Sequence, residues 1–428
     1  MKCEQSNTAM RVVYVGHIML GDTSATGYTL AHIFDACKNV TLAQYALDYD
    51  PRYHNPDRPI TYISKVRSCL FCCLKQLYRR KQERGGPNAA TTGVTTHKGS
   101  LLVDVAKGLL DLLPKRWSKA DLRALDESFP EIIYTLAENI STLRAALYLS
   151  KRYDAPIIIH VMDDIESTIY QSYPLTKWLR YKYLKLLHQA YQRSKINLAI
   201  GEKMATEFAE RHKTPFEVAM NCLDTLHAQP QPNNTPMRLV FSGGLHGGRA
   251  QSLALMADII ARSPKLSGSA KLIVYTSPQN RVTYQSMLLD RGVKVYDYVP
   301  KSEMFANLGK ADVLIHVESF MPEEIEYFKY SMSTKIPEYM SVGRPIVCFG
   351  PREICTVDYI ERKRVGLVAS NENELIEVLT RVIVDAKLRQ DLSSRALGVA
   401  EKEHLASAVA ERVERVFATA IKNQNRAR

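Results

Sequence analysis

No run among the 428 residues reaches the roughly eighteen consecutive apolar residues that a membrane-spanning helix requires. The opening MKCEQSNTAMRVVYVGHIMLGD holds a short apolar run broken by His17 and lacks a small-residue cleavage site. It therefore reads as a first strand rather than a signal peptide. Internal repeats and low-complexity tracts are absent, and a composition of 46% apolar and 24% charged residues excludes a disordered chain. Eight cysteines scattered over this length do not form a disulfide framework, because Cys3, Cys37, Cys222, Cys348 and Cys355 stand singly, several inside apolar runs. CLFCC at 69–73 is half of a zinc site, and no second Cys/His pair follows at finger spacing. The chain reads as reduced and cytosolic. Zinc-finger, RNP and basic-zipper signatures are also missing, so the net charge of +12 and pI near 9.2 point to phosphates or anionic lipid rather than nucleic acid.

Acid is missing locally as well. Between Glu166 and Glu202 there is none, while Lys177, Arg180, Lys182, Lys185, Arg193 and Lys195 all fall there. Leu179, Tyr183, Leu186, Leu187 and Ala190 take the opposite helical face. This is either a solvated basic face over a buried stripe or, with a second basic helix at 65–84, a surface for docking on anionic lipid at the inner face of a membrane.

What is present is alternation. Apolar runs at 11–16, 60–63, 132–134, 156–160, 197–200 and 216–219 read as buried strands separated by helical periods. The segment LHAQPQPNNTP at 226–236 is rich in Pro, Asn and Gln and has no periodicity, which marks a linker. A second alternating series follows, with strands at 238–242, 272–275, 294–296, 313–316, 345–348 and 365–368. This predicts an α/β protein of two Rossmann-like, doubly wound parallel-sheet domains. The expected boundaries are 1–225, a linker at 226–237, 238–400, and a closing helix at 401–428 that packs back on the first domain.

The densest chemistry lies in SMSTKIPEYMSVGRPIV at 331–347. Ser333, Thr334 and Lys335 bring hydroxyls, backbone N–H groups and a cation to a helix start, with Pro337 at its first helical position. These are the parts of a diphosphate cradle, and Glu338 in the first turn can accept two ribose hydroxyls. An ordinary capped helix with its acid placed for the dipole fits the same pattern. In FSGGLHGGR at 241–249, glycines let backbone N–H groups approach phosphate and Arg249 offers a planar fork. The spacing there is neither a Walker motif nor a strict G-x-G-x-x-G, and a flexible turn with a surface Arg is the plain alternative.

These segments resemble the retaining family 4 glycosyltransferases, a GT-B family, and within it the bacterial polysaccharide and cell-surface glycan branch that carries S-T-K-x-P-E-Y. GDTSATGYTLAHIF at 21–34, PIIIHVMDD at 156–164, LVFSGGLHGGR at 239–249 and VYDYVPKSEM at 295–304 extend the likeness over nearly the whole chain. The resemblance implies the GT-B architecture, with the two domains facing across a cleft. It implies an enzyme moving a hexose-type sugar, with retention, from a nucleotide-diphosphate donor to a glycan or lipid-linked acceptor. No cofactor is implied, and Asp163-Asp164 lacks D-x-D spacing, so metal independence is expected.

By the same resemblance Arg249 meets the leaving diphosphate and His160 approaches the transferred sugar, while Lys335 joins the diphosphate from the Ser-Thr-Lys cradle. Thr26, Gly27, Gly243, Gly244, Tyr298, Val299, Ser333, Thr334 and Glu338 bind donor, and Asp163 orients the histidine or meets acceptor. Departures from the family pattern stand at Gly244 and Ala250, and at Tyr330, where the family's other carboxylate falls eight residues before Glu338. A nucleotide-sugar 2-epimerase of the same architecture, or a catalytically degenerate scaffold subunit, are the alternatives.

Overall fold

A computed structural model describes residues 9–22, 24–47, 51–54, 60–63, 111–112, 117–170 and 176–426. The expected basic helix at 65–84, CLFCC, GGPNAATTG at 85–93 and nearly all of the helical segment 101–113 lie outside the described residues, as does Thr23. The chain forms two compact units.

Unit 1 holds the described residues up to Asn221 together with the helix Ala406–Arg426. Its strands are β1 (Met10–Gly16), β2 (Val40–Ala46), β3 (Ile60–Ile63), β4 (Ile132–Thr135), β5 (Ile157–Val161), β6 (Asn197–Ala199) and β7 (Phe216–Val218). They make one parallel sheet of order β3-β2-β1-β4-β5-β6-β7, with Val12 opposite Leu42 on one side and Ile132 on the other. Every residue of β4 and β5 is buried, as expected where helices cover both faces of a parallel sheet. β2 is the strand the apolar pattern misses, because Gln44 interrupts it. That side chain is wholly buried, its amide donating to Ile18 O and accepting from Leu20 N–H.

The helix Ala406–Arg426 closes the core of unit 1. Phe417 is fully buried and stacks with Phe34 at 6.4 Å, while Glu414 accepts from the Asn39 backbone and side chain at 2.9 and 2.7 Å.

Unit 2 spans Cys222–Leu405 among the described residues. Strands β8 (Met237–Ser242), β9 (Ala270–Thr276), β10 (Lys294–Asp297), β11 (Val313–Val317), β12 (Ile346–Phe349) and β13 (Gly366–Ala369) form a second parallel sheet, ordered β10-β9-β8-β11-β12-β13. Helices Arg249–Arg262 and Glu372–Val384 pack their buried faces into this core.

The segment 226–237 is not a free tether. His227 and Gln229 donate their N–H groups to Ser341 O and Val342 O, and the fully buried Arg344 donates to the carbonyls of Gln229 and Pro230. Asn234 is held by Asp312. Its composition marks the absence of regular structure, and its backbone groups find partners in unit 2 instead. Among the described residues, no helix is long and apolar enough to cross a membrane.

Candidate functional site

In each open parallel sheet a crevice forms at the carboxyl ends of the strands where the strand order reverses. In unit 2 that point lies between β8 and β11. β8 ends at Ser242, the turn Gly243–Gly248 follows, and the helix Arg249–Arg262 begins. Gly248 has φ +74, and a Cβ there would lie 2.1 Å from Ser319 Oγ, so only glycine lets this turn approach the end of β11 so closely.

Arg249 is thereby aimed at Glu318. Its Nε and Nη2 donate to Glu318 Oε2 at 3.1 and 2.9 Å, and the Phe328 ring lies under the guanidinium at 4.9 Å. The second oxygen of Glu318 pairs with His316 Nε2 at 2.9 Å. Glu318 is 2% exposed. Burial alone would raise its pKa, but the charge of Arg249 and the bonds from His316 prevail and hold it at about 2. The expected fork on phosphate is therefore half spent, since one edge of Arg249 is bound to Glu318 and its Nη1 side is left for a ligand. Glu318 has no motif offset to reveal it. The only signal was its place at the carboxyl end of an apolar strand.

The helix of the Ser-Thr-Lys segment runs Lys335–Ser341, so Pro337 is its third residue rather than its first. Lys335 Nζ pairs with Glu338 Oε2 at 2.9 Å, with the lysine side chain 30% exposed and the glutamate 7%. Ser333 Oγ accepts from Lys335 N–H at 3.3 Å, while Thr334 makes no side-chain capping bond. Tyr339, which had no assigned role, ties this helix to β8. Its hydroxyl accepts from Ser242 N–H at 2.7 Å and donates to Ser242 O at 3.2 Å. Tyr298 and Val299, following β10, join Ser242, Asn307 and Lys335 around a cavity of about 250 Å³. Burial raises the Tyr298 hydroxyl pKa, and the charges of Lys335 and Arg249 work against that rise. Tyr298, Val299, Lys335, Glu338 and Arg249 are thus gathered at one end of the unit 2 sheet.

The unit 1 candidates are placed differently. Gly27 sits in the first turn of the helix Ala25–Ala36, capped by Ser24, and a Cβ there would meet Asp22 Oδ1 at 2.1 Å. Its absent side chain serves the packing of the loop, and Thr26 beside it is half-buried. His160 is enclosed within unit 1. It is 0% exposed, Nδ1 pairs with Tyr134 Oη, and Nε2 pairs with Ala219 O at 3.1 Å. Burial lowers its pKa to about 3, so the ring is a neutral core histidine with both nitrogens engaged. Its ring partners are thus Tyr134 and Ala219, while the half-buried Asp163 accepts, through its backbone oxygen, the N–H of Ile165.

Sequence reasoning missed Glu138 altogether. It lies just past β4, beside the end of β1, at the switch point of unit 1, and accepts the N–H of His17 at 2.9 Å. One edge reaches solvent, but dense surroundings raise its pKa to about 7 against the backbone bonds from His17 and Ile18.

No protein-family model matches this chain, and no curated protein matches it in sequence. Solved structures do. The chain is similar to Anabaena Alr3699/HepE in complex with UDP, with a TM-score of 0.62 and 13% identity over 96% of this chain and 100% of that one. The fold is the GT-B fold. A glycosyltransferase from Rickettsia africae matches with a TM-score of 0.61 and 10% identity over 97% and 99% of the two chains. WaaG, a glycosyltransferase involved in lipopolysaccharide biosynthesis, matches with a TM-score of 0.54 and 12% identity over 95% and 99%.

Proposed function

We propose that this chain is a retaining, family-4-like glycosyltransferase that moves a sugar from a nucleotide-diphosphate donor to a glycan or lipid-linked acceptor. One observation carries the reading. Arg249, Lys335 and Glu338 arrive from two separate turns at the switch point of unit 2, beside the cavity lined by Tyr298 and Val299. In this assignment Glu338 takes the ribose hydroxyls, the cavity takes the base, and the free edge of Arg249 meets the diphosphate together with Lys335. Ser333, Thr334, Gly243 and Gly244 line the approach. Charge grows on the diphosphate as the bond to the sugar breaks, and two fixed cations in a partly desolvated site stabilise that charge without a metal. The departing phosphate then deprotonates the acceptor on the same face, so no catalytic carboxylate is assigned in unit 2. A GT-B neighbour solved in complex with UDP supports a nucleotide diphosphate as the ligand.

Thermal shift with free UDP, GDP, ADP and dTDP, followed by hydrolysis of the matching sugar nucleotides, tests the reading. One nucleotide should stabilise the protein, and its sugar conjugate should be turned over in the presence of chelator. Stabilisation without turnover of any conjugate would favour the scaffold alternative. Interconversion of the donor sugar would favour the epimerase, and no shift with any nucleotide would refute the site.

A further inference from the structure

The helices Ile140–Tyr153 and Lys177–Gln192 pack side by side in unit 1, and neither contains an Asp or Glu. A groove of about 420 Å³ opens along them. Its floor is apolar (Leu112, Ile140 and Leu186) and its rim is cationic (Arg144, Lys182 and Lys185). Leu186 belongs to the apolar stripe by spacing, yet it is only half-buried because the groove reaches it.

Two other cations on these helices, Arg152 and Arg180, are spent on the fold. Arg152 pairs with Asp126 at 2.8 Å, and Arg180 donates to Glu166 O and Ile169 O at 2.8 and 3.0 Å. The rim cations are left facing out. Arg144 is fixed at the edge by a bond to Leu112 O at 2.6 Å, and Lys182 Nζ sits 5.1 Å from the centre of the Trp178 ring. Trp178, Tyr181, Lys182 and Lys185 share one face by helical spacing, and Trp178 and Tyr181 are 42% and 67% exposed. Aromatic rings left in water beside unneutralised cations and an apolar floor match the layered chemistry of a lipid surface, with phosphates outermost and acyl chains beneath.

We propose that this groove docks the protein on an anionic phospholipid bilayer. Lipid phosphates sit among Arg144, Lys182 and Lys185, and Trp178 and Tyr181 lie in the interfacial layer. The proposal rests on unit 1 alone and stands apart from the transferase reading.

Flotation of the full chain with vesicles of phosphatidylcholine, with and without about one-third phosphatidylglycerol, is the test. Binding should require the anionic lipid and weaken with salt. Lys182→Ala with Lys185→Ala should weaken it about 25-fold, taking about a fivefold loss per cation removed near the surface. Tyr181→Ser, at a site with little structural role, should weaken the binding that persists at high salt. In a Trp117→Phe background Trp178 is the only indole left, and its emission should shift to the blue on vesicle addition. Equal binding to neutral vesicles, parental binding by a double alanine variant that melts like the parent, or an unshifted Trp178 spectrum would each overturn the proposal. Displacement from vesicles by inorganic phosphate but not by chloride of matched ionic strength would make the groove a small-anion site and would also overturn it.

Discussion

Replacing Glu318 by Gln removes the charge beneath Arg249 and keeps the shape of the side chain. The carboxyl falls from an ordinary value of 4.5 to about 2 in the folded chain, and at 1.36 kcal/mol per unit this is worth about 3 kcal/mol. Because the folded value is depressed, that stability is complete above about pH 4.5 and is lost as pH falls towards 2. Glutamine still offers one acceptor oxygen to Arg249 or His316, so E318Q should be destabilised by about 2–3 kcal/mol at neutral pH rather than by more. For a unit of this size the melting temperature should drop on the order of 5–10 °C. Calorimetry of parent and variant at pH 7, 5 and 3 checks both magnitude and sign. The gap should be full at pH 7 and 5 and should narrow at pH 3, where the unfolded parent has taken up a proton and only part of the advantage of the charged folded form remains. A gap that is absent at neutral pH, or that does not change at pH 3, would refute the account of a carboxylate held charged by Arg249 and His316.

Arg249→Ala and Lys335→Ala should each lower kcat about 100-fold or more and weaken nucleoside diphosphate binding, with Arg249→Lys recovering only part; near-parental turnover in both alanine variants would misplace the site. Glu338→Gln should cost about 1–3 kcal/mol in nucleotide affinity by titration calorimetry, and unchanged affinity would return Glu338 to a purely structural role beside Lys335. Glu138→Gln should stabilise the protein at pH 8 and not at pH 4. Its raised pKa makes ionisation unfavourable in the fold, an effect absent below about 4.5 and complete above about 7, worth at most about 3 kcal/mol. Equal melting temperatures of parent and variant at pH 8 would show that this half-buried charge is tolerated at no cost.

Strand positions were legible because a parallel sheet covered on both faces needs uninterrupted apolar runs, and those are visible in Ile157–Val161 or Val313–Val317. β2 was hidden by Gln44, whose burial depends on two loop partners that no local pattern reveals. The Ser-Thr-Lys-x-Pro-Glu-Tyr segment announced its helix and its polar groups, since those are local properties. It could not announce that Tyr339 is tied to Ser242, ninety-seven positions away. Glu318 lacks the family's offset and takes no assignment from sequence for a related reason, because its significance lies in Arg249 sixty-nine residues earlier. His160 shows the opposite case. A histidine at a strand end draws attention by type, and only the positions of Tyr134 and Ala219 reveal that its nitrogens are already used.

The helix Ala406–Arg426 gives this protein an inverted order of assembly. Unit 2 runs without interruption from Cys222 to Leu405 among the described residues, so all of it precedes along the chain the helix that completes unit 1. Until that helix is made, the aromatic surface of Phe34 and Tyr134 waits for Phe417. The unit that begins first therefore finishes last, and the interval in between is when the nascent chain has most need of a chaperone.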